Sequence, residues 1–415
     1  MARIALLGTC DTKLDELLYL RDVIREAKVE VMLIDVGRSP VDNEAITVSQ
    51  ADLLRKYGAG KTTAKEERGE VVKIMAECAT KAIESLYEEN FIQGSIAAGG
   101  SGGTSIAATA MRNALPIGFP KLIVSTIASG DTGPIVGETD ITLMYSVVDV
   151  AGLNDVLRSV LSNAGSAIAG MALEYSRRSQ RSNSQTKKRV GITMFGVTTP
   201  AVDAIREHLE SKYDVEVFVF HATGHGGKAM ERLIREGRID GVLDLTTTEI
   251  CDHLTGGVMS AGSRRLEAAA KAGIPNVISV GATDMTNFGP RDSVPERYKD
   301  RKLYEHNPVV TLMRTSPEEA AQVGDFIASK LKIYSRHPNA VEVWLPKGGI
   351  SMISTPGSPF ADEEADGRLF QAIKEGLKDS GIEIIEDTRA VNDEGFARDI
   401  AEALAAKLTP SRRSG

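Results

Sequence analysis

Aromatic side chains are scarce in this chain: 5% of its 415 residues, with one tryptophan. Binding single-stranded nucleic acid by stacking needs aromatic platforms along a basic groove. A basic excess is missing too, because 49 Lys and Arg face 57 Asp and Glu, for a net charge of −8. Such a balance attracts neither nucleic acid nor an anionic membrane surface, so no nucleic-acid partner and no membrane partner are expected. Cysteine is equally sparse. Cys10, Cys78 and Cys251 cannot build a disulfide framework, and no two stand at metal-ligand spacing. Free thiols fit a reducing compartment. No signal-peptide pattern surrounds Arg3-Ile4-Ala5-Leu6-Leu7-Gly8, and no apolar run stands out as long enough to span a bilayer. The expected location is cytoplasmic.

What the sequence does have is hydrophobic residues, 42% of the total, dispersed in short runs over a length that exceeds one ordinary core. Residues 176–189, Ser-Arg-Arg-Ser-Gln-Arg-Ser-Asn-Ser-Gln-Thr-Lys-Lys-Arg, contain no apolar side chain and cannot join a core. The segment reads as an exposed linker or a basic arm, and its shortness favours a linker. The expected division is an N-terminal domain over 1–175, the polar linker over 176–189 and a C-terminal domain over 190–415.

The same grammar holds on both sides: short apolar runs end in Gly, Thr, Ser or Asp, and helical periodicity follows. Strands are expected at Arg3–Leu7, Glu30–Ile34, Ser95–Ala98 and Lys121–Ser125, then at Val190–Met194, Glu216–Phe220, Gly241–Leu245 and Val277–Val280, with later ones at Ala340–Leu345 and Ile382–Ile385. Largely apolar strands alternating with helices indicate parallel sheets covered on both faces. The expected fold class is α/β, with two Rossmann-like, doubly wound domains. Leu7-Gly8-Thr9-Cys10-Asp11-Thr12 has a counterpart in Phe195-Gly196-Val197-Thr198-Thr199, and Gly118-Phe119-Pro120-Lys121-Leu122-Ile123 in Gly273-Ile274-Pro275-Asn276-Val277-Ile278. Either the halves are a diverged duplication, or they share the turns common to this superfold.

Ligands of open parallel sheets bind beyond the carboxyl ends of the strands. In the first half those positions hold Gly8, Thr9, Asp11, Thr12 and Lys13, then Val36 and Gly37, then Ser129, Gly130 and Asp131. The sharpest feature is Gly99-Gly100-Ser101-Gly102-Gly103-Thr104, between an expected strand and an expected helix. Glycines let a backbone approach an anion, and a helix N-terminus aims N–H groups at it. Ser101, Thr104 and Ser105 add hydroxyls, Lys13 a counter-charge, and Asp11 or Asp131 a ligand for magnesium. A turn needed only for packing is the other reading of this loop. Gly58-Ala59-Gly60-Lys61-Thr62 imitates the end of a Walker A loop, but Arg55 stands where a glycine is required and a helix precedes it. It reads as a helix end.

The second half has a polar cluster of its own. His221, Thr223, Gly224 and His225 follow one strand, Glu249 another, Asp284 a third and Lys347 a fourth. His221 and His225 have helical spacing but lie in a glycine loop without an evident third ligand, so a second anion or substrate site is favoured over zinc. Each histidine also has a plain structural reading as a hydrogen-bonded residue. No metal site built by protein alone is expected in either half. Thr286 to Pro308, with Asn287, Arg291, Arg301, His306 and Asn307, has little periodicity and reads as a lid or a subunit contact.

Several longer motifs resemble one family. They are Ser129-Gly130-Asp131 with Val136-Gly137, Asp140-Ile141-Thr142-Leu143-Met144-Tyr145-Ser146-Val147-Val148-Asp149, Phe220-His221-Ala222-Thr223-Gly224, Asp244-Leu245-Thr246-Thr247-Thr248-Glu249 and His306-Asn307-Pro308. Together they resemble the plant tobamovirus-resistance type and its microbial relatives, over nearly the whole chain. The resemblance implies ATP, with magnesium, in the N-terminal half, and a homodimer, but no settled reaction. Plant members inhibit viral RNA replication and carry a further C-terminal barrel similar to phosphoenolpyruvate-processing enzymes. A barrel enzyme working with this chain is therefore expected as a separate polypeptide. Many relatives carry an aromatic between the positions of Asp131 and Val136, where this chain has Thr132-Gly133-Pro134-Ile135, so a base-stacking role is not carried over to that position.

Three functions are consistent with these residues. An ATP-dependent enzyme would act on a small metabolite, with His221, Glu249 or Asp284 as acid–base groups and Lys347 as an anion contact. An ATP-sensing dimeric module would bind without turnover, since no complete catalytic constellation stands out. A sugar-nucleotide transferase or epimerase is suggested by fold analogy only.

Overall fold

The computed structural model describes residues 1–180 and 187–408. The chain forms two compact units that divide in the segment between those ranges. Segment 181–186 of the expected linker lies outside the described residues. Its flanks are regular structure, because a helix runs to Gln180 and a strand begins at Lys188.

The first unit runs β1 (Arg3–Gly8), α1 (Cys10–Glu26), β2 (Glu30–Asp35), α2 (Gln50–Tyr57), α3 (Arg68–Glu88), β3 (Gly94–Gly99), α4 (Ser101–Ala114), β4 (Lys121–Ser125), α5 (Gly133–Val136), β5 (Thr142–Tyr145) and α6 (Asp155–Gln180). Its five strands are all parallel, in the order β2-β1-β3-β4-β5. Successive side chains of a strand face opposite ways, and β1 shows the result. Ala5 and Leu7 pack with α3 and α4 on one face, while Ile4 and Leu6 pack with α1 and α6 on the other. Both faces are covered, which is why the strands read as apolar runs rather than alternations. The helix end expected at Gly58 is present, with α2 stopping at Tyr57.

The second unit runs β6 (Lys188–Met194), α7 (Thr199–Lys212), β7 (Val215–His221), α8 (His225–Arg235), β8 (Gly241–Thr246), α9 (Glu249–Thr255), α10 (Glu267–Ala272), β9 (Asn276–Gly281), β10 (Met285–Phe288), β11 (Leu303–Asn307), β12 (Val310–Arg314), α11 (Pro317–Tyr334), β13 (Val341–Pro346), α12 (Glu363–Gly376), β14 (Glu383–Asp387) and α13 (Glu394–Leu408). Six parallel strands are ordered β14-β13-β9-β8-β6-β7. Read from the second strand of each half, the two sheets share one order over their first four strands, second-first-third-fourth. The matched sequence segments fall on equivalent elements: the turns after β1 and β6, and the entries to β4 and β9. At those entries Gly118 and Gly273 both take positive φ, +86° and +68°, a conformation that favours glycine.

The sequence reading missed four strands. β5 is a four-residue edge strand whose residues are only partly buried or exposed, so it lacks the apolar run. β10, β12 and β11 form an antiparallel three-stranded sheet in the stretch read as a lid or contact. Their buried positions include Thr286, Asn287 and Thr311, polar residues that hide a strand from a hydrophobicity pattern. A second correction concerns long apolar segments. Asp155–Ser179 is long and apolar enough for a membrane span by length and composition. In the fold it is a covering helix: Leu157, Leu161, Ala164, Ile168 and Ala172 are fully buried against the sheet, and its other face carries Arg158, Glu174 and Arg177.

Candidate functional site

The strand order locates a crevice in each unit. In order 2-1-3-4-5, the connection after β1 runs to β2 on one side and the connection after β3 runs to β4 on the other, so the loops leaving the carboxyl ends of β1 and β3 diverge and leave a gap. The loops flanking that gap in the first unit are Gly8-Thr9 and Gly99-Gly100.

On the β3 side, α4 begins at Ser101 with Gly100 as its N-cap, and no side chain caps the helix. Gly99, Gly100, Gly102 and Gly103 all have ordinary negative φ. A Cβ on Gly103 would meet nothing within 4 Å, and on Gly99, Gly100 or Gly102 nothing nearer than 3.5 Å. Neither backbone conformation nor packing therefore calls for glycine at these positions, which disfavours the packing-turn reading. Thr104 faces inward, its hydroxyl 2.7 Å from that of Ser125 and fully buried, so it braces the loop instead of offering a donor. Ser125 Oγ in turn accepts from Ile127 N, and Thr126 N donates to the Gly99 carbonyl, fastening the β4 loop to the glycine loop. Ser129 and Gly130 lie in an exposed turn, and Asp131 accepts from Gly133 N at 3.0 Å.

On the β1 side the loops are tied to each other. Asp11 Oδ2 accepts from Arg38 N and Ser39 N at 2.9 and 3.1 Å. Asp35, fully buried, accepts from Cys10 N and Gly37 N through Oδ1, while Oδ2 has no partner. Burial holds the Asp35 carboxyl above the usual range. Gly8 and Gly37 are packing glycines, because a Cβ would overlap the Leu17 side chain or crowd Asp11 Oδ1. Val36 is buried in the core, with its N–H on the Gly8 carbonyl. Thr9 and Thr12 hydroxyls pair at 3.1 Å. Lys13 sits at a kink in α1 and donates to the Val150 carbonyl. The cation beside the glycine loop is one the sequence reading missed, Arg68 at the start of α3, whose Nη2 is 3.9 Å from the Cβ position of Gly102. It is exposed and has no ion pair among the described residues. Thirty-odd residues separate it from the glycine loop in the chain, so no local motif reveals it.

The rival glycine loop in the second unit differs in both position and chemistry. Gly224–Gly227 follows β7, the sheet-edge strand, and so corresponds to the loop after β2; the counterpart of the Gly99 loop is Thr246–Glu249. Two of its own N–H groups are already bonded. Gly224 N and Gly227 N donate to Glu249 Oε1 at 2.7 and 3.0 Å. Here the glycines are required: Gly224 has φ +87°, and a Cβ on Gly226 or Gly227 would overlap the His221 carbonyl or Glu249 Oε2. Glu249 is fully buried, and its other oxygen accepts from Arg265 Nε at 2.8 Å. Arg265 also grips Asp244 with two bonds of 2.5 and 2.6 Å and lies 3.6 Å from Glu231. Burial pushes the Glu231 carboxyl up.

The remaining second-half residues scatter. His221 stacks on Phe195 with ring centroids 5.7 Å apart. With Thr223, His306 and Asn307 it lines a cavity of about 190 Å³. His225 is exposed at the first position of α8. Asp284 is fully buried, bonded to Ser351 Oγ at 2.7 Å, with Oδ1 unpartnered. Lys347 pairs with Glu386 at 3.1 Å and lines a different cavity of about 440 Å³, which also presents Asp362, Glu363 and Asp366. Among the described residues no group of three His, Cys, Asp or Glu side chains is placed to hold a metal ion.

Two family models cover the chain: the N-terminal domain of "Uncharacterised protein family (UPF0261)" over residues 2–177 and the C-terminal domain of the same family over 187–408. The chain belongs to this family. A UPF0261 protein of Clostridium tetani is 44% identical over 413 residues, covering 97% of this chain and 98% of the relative. The ToMV resistance protein Tm-1(GCR237) of Solanum lycopersicum is 40% identical, over 99% of this chain but 56% of the tomato protein. The resemblance read from the motifs is therefore one of membership. Among solved structures, Acinetobacter baumannii MurG is 10% identical with a TM-score of 0.22, covering 68% of this chain and 79% of MurG. A Methanocaldococcus jannaschii UDP-GlcNAc 2-epimerase, 9% identical, covers 67% of this chain and 83% of the enzyme, with a TM-score of 0.20. At such scores neither likeness bears on function.

Two expectations follow for the buried charges. Arg265→Met strands Asp244, Glu249 and Glu231 without a counter-charge, and urea unfolding should register a loss of about 3–5 kcal/mol; an unchanged midpoint would show that the guanidinium is dispensable. Burial pushes the Asp284 carboxyl up to about 7, against about 3.9 in an unfolded chain. Between those values the folded protein holds a proton that the unfolded one releases, so this group's contribution is full below pH ~4 and declines as pH rises toward ~7, by up to ~1.4 kcal/mol per pH unit. Asp284→Asn should flatten that slope, leaving the share of Asp252, which burial also raises to about 7. Urea melts of both proteins across this range give the comparison, and identical slopes would contradict it.

Proposed function

We propose that the first unit binds ATP at the β1/β3 crevice, with the triphosphate on the Gly99–Gly103 backbone at the N-terminus of α4 and Arg68 as counter-charge. The observation that carries this reading is that four glycines stand where neither φ nor packing calls for glycine. What they leave is room for a group to approach the backbone of an uncapped helix. The family resemblance supplies the identity of the nucleotide. Magnesium would be held chiefly by phosphate oxygens and water, as that ion usually is, since Asp11 and Asp131 each already accept backbone N–H bonds.

The activity we propose is ATP-dependent chemistry on a small metabolite, in a homodimer of a reducing, cytoplasmic compartment; the three buried free thiols agree with that compartment. A barrel enzyme on a separate chain is the protein partner to look for. An ATP sensor without turnover is the second reading. It is favoured by the backbone N–H bonds that Asp11 and Asp131 accept, which tie those two carboxylates to their own loops.

Titration calorimetry with MgATP tests the site. The unaltered chain should bind, and Gly103→Val, whose side chain enters open space, should weaken binding at least ~10-fold with the melting temperature unchanged; Arg68→Ala should cost a similar factor, as loss of a charge-assisted bond does. Equal affinity in Gly103→Val would remove the glycine loop from the site. Phosphate release in the presence of metabolite pools separates the enzyme from the sensor.

A further inference from the structure

The cavity at the carboxyl ends of β6 and β7 is built for a ligand unlike a nucleotide. Phe195, Val197, Met259, Val310 and Leu312 give it apolar walls, and no Asp or Glu lines it. Its wall from β12 belongs to the antiparallel sheet that the sequence left without a pattern. At His306 the ladder between β11 and β12 shifts register: Glu305 faces Thr311 and Asn307 faces Val310, leaving His306 as the extra residue. Such a bulge re-aims a side chain, and here His306 joins His221 on the cavity lining. Gly196, on the same lining, has ordinary φ and nothing within 4 Å of its Cβ position, so a side chain there would occupy the cavity.

Hydrogen-bonding capacity on the lining is only partly used. Thr223 donates to the His221 carbonyl, and Asn307 Oδ1 accepts from Val309 N. The two imidazoles and Asn307 Nδ2 have no partner among the described residues. Each imidazole can offer one N–H and Asn307 Nδ2 two, at exposed positions with no competing carboxylate on the lining, which favours an acceptor headgroup. Phosphate is disfavoured, because the neighbouring N–H groups of Gly224 and Gly227 are taken by Glu249. The volume, about 190 Å³, suits on the order of ten non-hydrogen atoms at condensed-phase density.

We infer that this cavity binds a small monocarboxylate with a short apolar body, its carboxylate held by His221, His306 and Asn307. The site stands independently of the nucleotide reading, since every residue in it belongs to the second unit.

Saturation-transfer NMR on the full chain tests this with 4-methyl-2-oxopentanoate as the probe and 4-methylpentan-1-ol as the control of similar body. The oxo acid should bind with a Kd of about 1 mM or tighter, and the alcohol at least ~10-fold more weakly. His306→Gln and His221→Gln should each weaken the acid by ~10-fold, and Gly196→Val, which fills the cavity without a clash, should abolish transfer. Absence of transfer to the unaltered chain at about ten times that concentration overturns the proposal. So does an alcohol that binds as well as the acid, or an acid bound equally by His306→Gln and Gly196→Val.

Discussion

A helix has N–H groups at its start that no turn of its own can satisfy, and this chain answers that constraint in two ways. One answer is internal: Asp35 accepts from Cys10 N at the start of α1 in the first unit, and the second unit uses the same device twice. The carboxylate of Glu249 takes the N–H groups of Gly224 and Gly227, and Glu231 does the same for Leu266 and Ala268. Carboxylates so deeply buried need a cation, and Arg265 is that cation. Much of the polar burial in this unit follows from closing helix ends with its own side chains. The other answer leaves the end open: α4 in the first unit starts without a side-chain cap, and among the described residues no atom lies nearer than 3.5 Å to where a Cβ on Gly99, Gly100, Gly102 or Gly103 would stand.

Glycine-rich turns look alike in a sequence and differ in what their missing Cβ makes room for. Around Gly226 and Gly227 the room is taken by the His221 carbonyl and the Glu249 carboxylate; around Gly103 it is open. The same contrast separates Gly8 from Gly196, the equivalent positions of the two halves. Gly8 is filled by Leu17, whereas Gly196 borders a cavity. Each half has thus kept one open glycine position beside its crevice, but on different strands: after β3 in the first and after β6 in the second.

The parallel strands other than β5 were legible because burial on both faces writes most of them as continuous apolar runs, and their ends came out within about two residues, as is usual for such readings. The likeness of the two halves was legible too, since Gly118 and Gly273 stand in equivalent turns before the fourth strand of each sheet. Other features were not. β10 to β12 bury threonine and asparagine, so the pattern that marks a strand is absent from them. Arg68 reaches Gly102 through the packing of α3 beside α4, a contact with no local sequence correlate. Lys13, the expected counter-charge for the glycine loop, sits at the kink in α1 and donates to the Val150 carbonyl instead. Proximity along the chain indicated which loops share a crevice, but not which way their side chains turn.

The antiparallel insert explains why the second unit's crevice is no copy of the first. It follows β9, and its hairpin brings Val310, Leu312 and the bulged His306 against the turn after β6. An open crevice between diverging strands suits a long charged ligand, whose phosphates are read by backbone. At the ends of β6 and β7 the hairpin instead walls a space of about 190 Å³ whose lining is mainly apolar, and there side chains replace the backbone as the source of polar contacts. Such a site reads shape and one headgroup. On the two proposals, one strand order supports two kinds of recognition: where Glu249 takes the N–H groups of Gly224 and Gly227, the backbone has less to offer a ligand, and selection passes to the imidazoles.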